Sequence, residues 1–319
     1  MILKIYKIIL IYWNMIGFNR IKLQFTLENS FDCNQGAIRK TILNVDGEYC
    51  LTCGSNKTIK LWKPRSKLLL QTYSGHGFEV MDVDSTPDSS QLISGSLDKT
   101  IILWDVSTAK PLRRIRAHIG AVNCVKFNED ASVFISASID GTIKIWDSKS
   151  NARDPIQILD EAKDSISYLT LTDHEIVSVS LDQNVRHYDI RKGMMNADCL
   201  HASLSYVTMT DNGECILLSC LNNSLILLDK SSGEILATFK GHRNEKYRCD
   251  NGFMENDSLI VSGSEDGTIC VWSLLEGTIE SRIQHPHKVV HTFAINQKQK
   301  ELISCTENKL YLWTFSNET

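Results

Sequence analysis

Residues 75–105 read GHGFEVMDVDSTPDSSQLISGSLDKTIILWD, opening with Gly-His and closing with Trp-Asp. Between these ends lie two apolar alternating runs and a tight Ser-Leu-Asp-Lys turn. The unit recurs. Trp62, Trp104, Trp146 and Tyr188 stand 42 residues apart, and Leu228, Trp272 and Trp313 follow at steps of 40, 44 and 41. Self-similarity at a fixed period of this size is the signature of a repeat architecture. Each unit runs in the same order: a turn, a strand with apolar residues spaced V-x-x-V-x-F, a polar turn and a second strand ending in Ser or Thr. A tight turn then leads to a third strand ending at the aromatic, and a more polar fourth strand follows. The third strands are TIKLW (58–62), TIILW (100–104), TIKIW (142–146), NVRHY (184–188), SLILL (224–228), TICVW (268–272) and KLYLW (309–313). Short β-branched runs between Gly, Asp and Ser turns are strand signals. The fourth strands, such as LRRIRA (112–117) and IESRI (279–283), are mixed in polarity, which suits a sheet edge. Lys110 to Ile115 therefore reads as a solvated edge and not as a free docking peptide.

The chain has 319 residues and a net charge of −4, with no block of five like charges. A basic footprint for nucleic acid is absent. Most of the ten cysteines fall in apolar strands, where cysteine acts as a small hydrophobe. The one CxxC, Cys50 to Cys53, lies in a strand, where positions i and i+3 face opposite sides. Buried reduced thiols are expected, which suits an intracellular protein. No phosphate loop, HExxH or EF-hand pattern occurs, so no cofactor and no metal are expected. Residues 1–18, MILKIYKIILIYWNMIGF, read as an extension, disordered or upstream of a true start at Met15, ahead of one repeat domain over 19–319. An amphipathic surface helix and an export signal are the other readings; the apolar run is too short to span a membrane.

The recurring residues and their spacing resemble the WD-repeat family over most of the chain. The resemblance implies an all-β fold, a seven-bladed WD-repeat β-propeller closed by an N-terminal strand. In that family the last blade takes its outer strand from the N-terminus, here within residues 25–31. His, Ser or Thr, Asp and Trp form a hydrogen-bonded set within a blade. Three units carry all four types: His76, Ser94, Asp98 and Trp104; His118, Ser136, Asp140 and Trp146; His242, Ser262, Asp266 and Trp272. A buried imidazole and carboxylate are tolerated only when hydrogen-bonded. The set repeats with a Trp each time, so it reads as structural and not as a catalytic triad. The first unit has Cys33-Asn34 at the Gly-His spot, the fourth lacks the His, and the fifth has Leu218, Asn222 and Leu228. The seventh has Ser304, Asn308 and Trp313 with a shorter turn. Blades five and seven are expected to be less firmly locked.

The resemblance also places partner contacts on the rim of one face. Mapped here, the rim includes Arg39, Glu79, Met81, Leu97, Asn123, Ile139, Leu181, Leu221, Lys246, Arg248, Glu265 and His291. Met81, Leu97, Ile139, Leu181 and Leu221 form an apolar arc, the kind of patch that marks contacts. The odd closures Tyr188-Asp189 and Leu228-Asp229 resemble a branch of the family made up of non-enzymatic scaffolds. That branch implies a monomeric propeller, cytoplasmic and nuclear, with kinase-cascade components of mitogen-activated protein kinase signalling and spliceosomal proteins of pre-mRNA splicing as partners. The alternative is a substrate receptor of a cullin-RING ubiquitin ligase, for which Tyr188, Asp189 and Arg191 approach the adaptor box with Tyr in place of Trp.

Overall fold

The structure, a computed structural model, describes residues 23–172, 174–286 and 289–317. The readings of residues 1–18 lie outside these. The described residues form seven antiparallel sheets of four strands each. Blade one comprises Ile38–Leu43, Cys50–Gly54, Thr58–Lys63 and Leu68–Ser74, in that order from the channel outward. Blades two to six repeat this order, ending on the outer strands Pro111–Arg116, Gln157–Leu159, Met194–Cys199, Ile235–Lys240 and Ile279–Gln284. Blade seven takes Val290–Asn296, Glu301–Thr306 and Lys309–Asn317 from the C-terminal end and Leu23–Asp32 from the N-terminal end. The expected fold and its closure are thus present, and the donor strand extends beyond residues 25–31 at both ends.

The V-x-x-V spacing has a physical cause. In a regular strand, residues three apart face opposite sides. Yet Val80 and Val83 are both fully buried, as are Val122 and Val125. A β-bulge after the first valine rotates the chain so that both point into the packing between blades. The register shifts at Ile38/Lys40, Val80/Asp82, Val122/Cys124, Ile166/Tyr168, Leu204/Tyr206 and Val290/Thr292. The bulged residues, among them Arg39, Met81, Asn123 and His291, are thereby turned to one end of the channel. We call that end the top; it also carries the turns of Asp98 and Asp140. Blade six departs: its inner strand, Asn251–Met254, is short and has no bulge.

The donor strand pairs with Lys309–Asn317 from Leu23↔Asn317 to Asp32↔Lys309. Leu23 is buried among Ile283, Trp313 and Phe315, and Phe31 packs 5.0 Å from the Trp62 ring of blade one. The strand thus joins blades six, seven and one. Closure removes the free sheet edges that an open ring would present. A chain shortened to begin at Cys33 is expected to lose cooperative thermal unfolding and to aggregate on size-exclusion chromatography. A Leu27→Lys variant, changed at an exposed position of the same strand, is expected to remain monodisperse.

Candidate interaction face and the side-chain sets beneath it

The top face rests on hydrogen-bonded sets inside the blades. In blade two, the Ser94 Oγ accepts from the Trp104 Nε1 (2.8 Å) and bonds the His76 Nε2 (2.8 Å). The other ring nitrogen of His76 lies 3.0 Å from an Asp98 oxygen, and the Gly77 amide donates to that same oxygen at 2.8 Å. Blade three matches it, with His118 Nε2 to Ser136 Oγ at 2.8 Å, Trp146 Nε1 to Ser136 Oγ at 3.0 Å and His118 Nδ1 to Asp140 at 3.1 Å. Both serines are fully buried, so neither hydroxyl is open to a substrate. Burial alone would raise the Asp140 pKa, but donors from Thr142, His118 and the Ile119 amide bring it down to about 2. Burial lowers His118 to about 4, more than the Asp140 charge raises it. His118 is therefore neutral at neutral pH.

Blade six carries the same four residue types but does not join them. Its short inner strand brings the Asp250 carbonyl to 3.4 Å from the Ser262 hydroxyl, which donates to it and to the Gly263 carbonyl. Trp272 Nε1 donates instead to the Lys240 carbonyl at 3.1 Å. Both His242 nitrogens are left without a hydrogen-bond partner among the described residues, and the ring packs edge-on to Trp272.

Two substitutes were missed in the sequence. In blade one, Gln35 and not Cys33-Asn34 holds the His position: its Oε1 accepts from Thr52 (2.5 Å), and Thr52 accepts from Trp62 (2.9 Å). The loop there is one residue shorter, which shifts the count. In blade seven, His285 Nε2 bonds Ser304 Oγ at 2.7 Å and Trp313 Nε1 donates to the same oxygen at 2.9 Å. That blade is locked through these groups, against the expectation from sequence. Its Asn308 instead accepts from the Gln35 amide of blade one (2.9 Å). Blade four uses a buried Arg186–Asp182 pair (2.6 Å) and a Tyr188–Glu161 hydrogen bond (3.2 Å). Blade five fills the space with Leu218 and Leu228, both fully buried.

The channel is filled by charge. Lys40 donates to Asp250 (2.8 Å) and to the Tyr206 hydroxyl (2.6 Å), and lies over the Tyr206 and Tyr168 rings, which stack 4.0 Å apart. Thr292 donates to the same Asp250 oxygen at 2.6 Å. Lys126 pairs with Asp84 at 3.5 Å. Asp82 and Asp84 accept from the Val125 and Phe127 amides of the next blade (3.0 and 2.9 Å), pairing donors on an inner edge. Burial works against the Lys40 ammonium, but Asp250 and Tyr206 more than offset it, and its pKa stands above the ordinary lysine value.

Arg248 was assigned to the rim and belongs to this channel. The inner strand of blade six begins only at Asn251, so residues 243–249 form a loop in which positions counted from Gly241-His242 no longer apply. The Glu265 carboxylate holds this loop by accepting from the amides of Glu245, Lys246 and Tyr247 (2.6–2.9 Å). Arg248 then reaches across the channel, donating to the carbonyls of Asn123 (2.7 Å) and Met81 (2.8 Å) above the Tyr168 ring.

The remaining rim residues do lie at the top. Arg39 is paired with Glu79 at 2.8 Å. Asn123 is turned sideways onto the Ile166 carbonyl. Met81, Leu97, Leu181 and Leu221 are half-buried, Ile139 and Lys246 are exposed, and His291 packs edge-on to Tyr247. Three exposed residues were not anticipated: Phe78, Ile119 and Tyr247. Phe78 follows Gly75-His76 after one glycine and Ile119 directly follows Ala117-His118, and an apolar residue in a polar loop was the available signal. Phe78 is 62% and Ile119 83% exposed, and with Leu97 and Ile139 they form a ridge over blades two and three. On the opposite, bottom face, Tyr188 is buried, Asp189 accepts from the Lys192 amide and Arg191 is exposed. His174, Glu175 and Asp189 place ligand atoms within 4.8 Å of one another there. Lys230 and Lys192 already balance the two carboxylates, at 2.6 and 3.2 Å. All ten cysteines are free thiols, and burial raises the Cys50 pKa to about 12.

A ring of seven four-stranded blades, fastened from within by these sets, defines a WD-repeat propeller, and the chain belongs to the WD-repeat family. The family pattern, WD domain, G-beta repeat, matches residues 25–63, 67–105, 109–147 and 233–273. Each of these segments begins at or near the outer strand of one blade and ends on the third strand of the next. The chain is similar to WD repeat domain-containing protein 83 of Rattus norvegicus, 51% identical over 89% of this chain and 90% of the relative. It is 50% identical to the Homo sapiens protein of that name over the same shares. It is 29% identical to the WD repeat domain-containing protein 83 homolog of Dictyostelium discoideum, over 88% of this chain and 95% of the relative. WD-repeat propellers are in general non-enzymatic interaction scaffolds.

Two outcomes test the fastening. Ser94→Ala leaves the buried Trp104 Nε1 donor without its acceptor and the His76 Nε2, whose ring donates from Nδ1 to Asp98, without its donor, and is expected to cost about 3 kcal/mol, from about 1–3 kcal/mol per unsatisfied buried group. Ser262→Ala removes a donor to two carbonyls, one of which, that of Asp250, also accepts from the Gly263 amide, and orphans neither an indole donor nor an imidazole; it is expected to cost about 1 kcal/mol in urea unfolding. The folded pKa of His118 is depressed from 6.5 to about 4. Its contribution to stability is therefore full above pH 6.5 and is lost as pH falls toward 4. His118→Gln, the arrangement blade one uses with Gln35, is expected to flatten the decline of unfolding free energy across that window.

Proposed function

We propose that this protein is a non-enzymatic scaffold that binds protein partners on its top face, over blades two and three. The observation that carries the reading is the ridge of Phe78, Ile119 and Ile139, exposed by 62, 83 and 50% on a rigid rim. Apolar residues grouped in this way on a well-packed surface are the usual core of a contact. Lys57 lies over the Phe78 ring at 5.6 Å and Lys99 stands exposed beside Leu97, while Glu79, Asp98 and Asp140 are engaged with Arg39, His76 and His118. The ridge thus has two cations at its blade-two end, while Asp140 keeps its charge beside the neutral His118 at its blade-three end, and it suits a partner segment of apolar residues with an acidic residue facing blade two. Resemblance to the scaffold branch of the family supports kinase-cascade components and spliceosomal proteins as the partners, met in cytoplasm and nucleus.

Quantitative affinity capture from cytoplasmic and nuclear fractions tests this. The wild-type chain is expected to enrich both sets of proteins, and Phe78→Asp and Ile119→Asp are expected to lose them by about tenfold with thermal stability unchanged, since such anchors contribute more than about 1 kcal/mol each. Capture that is indifferent to both substitutions overturns the top-face reading. Enrichment of a cullin-RING adaptor that disappears with Arg191→Ala favours the ligase receptor instead.

A further inference from the structure

We propose that the outer strand of blade one, Leu68–Ser74, is a docking edge for an extended peptide strand from a partner, which places one large apolar side chain in the adjoining pocket with a basic residue beside it. This site does not depend on the top face. The outer strand of each blade has one main-chain edge turned to solvent, and proteins normally guard such edges with charge. Blade two does so with Arg113, Arg114 and Arg116, blade four with Asp198 and blade five with Lys240. Blade six does so with Glu280 and Arg282, and blade seven with Glu28 and Asp32. The outer strand of blade three has only three residues. Leu68–Ser74, LLLQTYS, has seven residues and no charge. Its three leucines are 52, 41 and 42% exposed in succession.

The local geometry adds a pocket to that edge. Leu61 pairs with Gln71 and Trp62 with Leu69, so a bulge leaves Leu70 without a cross-strand partner. Leu70 lines a cavity of about 470 Å³ between blades one and two, together with Val45, Tyr49, Leu61, Pro87 and Val106. Asp46 and Asp88 stand at the same cavity, both exposed. An unguarded edge supplies main-chain hydrogen bonds to an added strand, and a pocket beside it selects alternate side chains. The apolar lining selects a large aliphatic or aromatic residue. The two carboxylates select a neighbouring Lys or Arg.

The probe is a displayed library of random peptides of about nine residues, a typical strand length, panned against the full chain. Enriched peptides are expected to alternate apolar residues and to carry a basic residue next to the largest one. A synthetic copy is expected to weaken about tenfold for each pairing amide that is N-methylated, the worth of roughly one hydrogen bond. Leu69→Lys, which restores a guard charge, is expected to abolish binding without lowering the melting temperature, while Ile119→Asp leaves it unchanged. Should Leu69→Lys fail to fold, N-methylation of the peptide decides alone. No enrichment, or binding indifferent to N-methylation, overturns the proposal. Concentration-dependent self-association that Leu69→Lys removes also overturns it, because the edge then serves a second copy of this chain.

Discussion

Lys40, enclosed between Asp250 and the stacked rings of Tyr168 and Tyr206, sits where all seven blades meet. Blade one sends Lys40, blade two Asp82 and Asp84, and blade three Lys126. Blades four and five send the tyrosines, blade six Arg248 and Asp250, and blade seven Thr292. Three cations face three carboxylates in the channel, with Lys40 and Asp250 almost fully buried. Removing one member of a buried pair costs about 3–5 kcal/mol, because the partner remains as an uncompensated charge. A ring built of seven nearly independent sheets is thus tied at its centre, where a loss in one blade is felt in those opposite.

That centre also answers a geometric difficulty. The inner strand of each blade has one edge with no strand beside it, and its amides need acceptors. Asp82 and Asp84 provide two of them to blade three, and Thr292 accepts from the Thr41 amide across the ring seam. The bulge in six of the inner strands serves both purposes. It buries two valine-type positions three apart, and it aims one residue per blade at the channel mouth, which is how the rim is made.

Much of this was legible in the chain. The 42-residue period, the Trp closures and the alternating runs determine seven repeat units of strands, and the resemblance to the WD-repeat family added the blade and the N-terminal donor strand. The fastenings of blades two and three were readable because all four residues kept their spacing. Where a loop lost or gained a residue, counting failed. Gln35 and His285 went unseen for this reason, and blade six appeared complete while its Ser262 turns away from His242. The exposed ridge was half seen: Leu97 and Ile139 precede the turn Asp, but Phe78 and Ile119 lie in loops whose exposure depends on how neighbouring blades pack.

By itself, then, the sequence determined the repeat, its number and the residues that lock blades two and three. These follow from local periodicity, since strand pairing within a blade joins segments only a turn apart. Tertiary structure alone decided that Arg248 belongs to the channel, that Lys40 meets Asp250 across 210 residues of chain, and that Leu68–Ser74 is left as an unguarded edge beside a pocket. Such contacts depend on ring closure, which brings together residues whose separation along the chain carries no period.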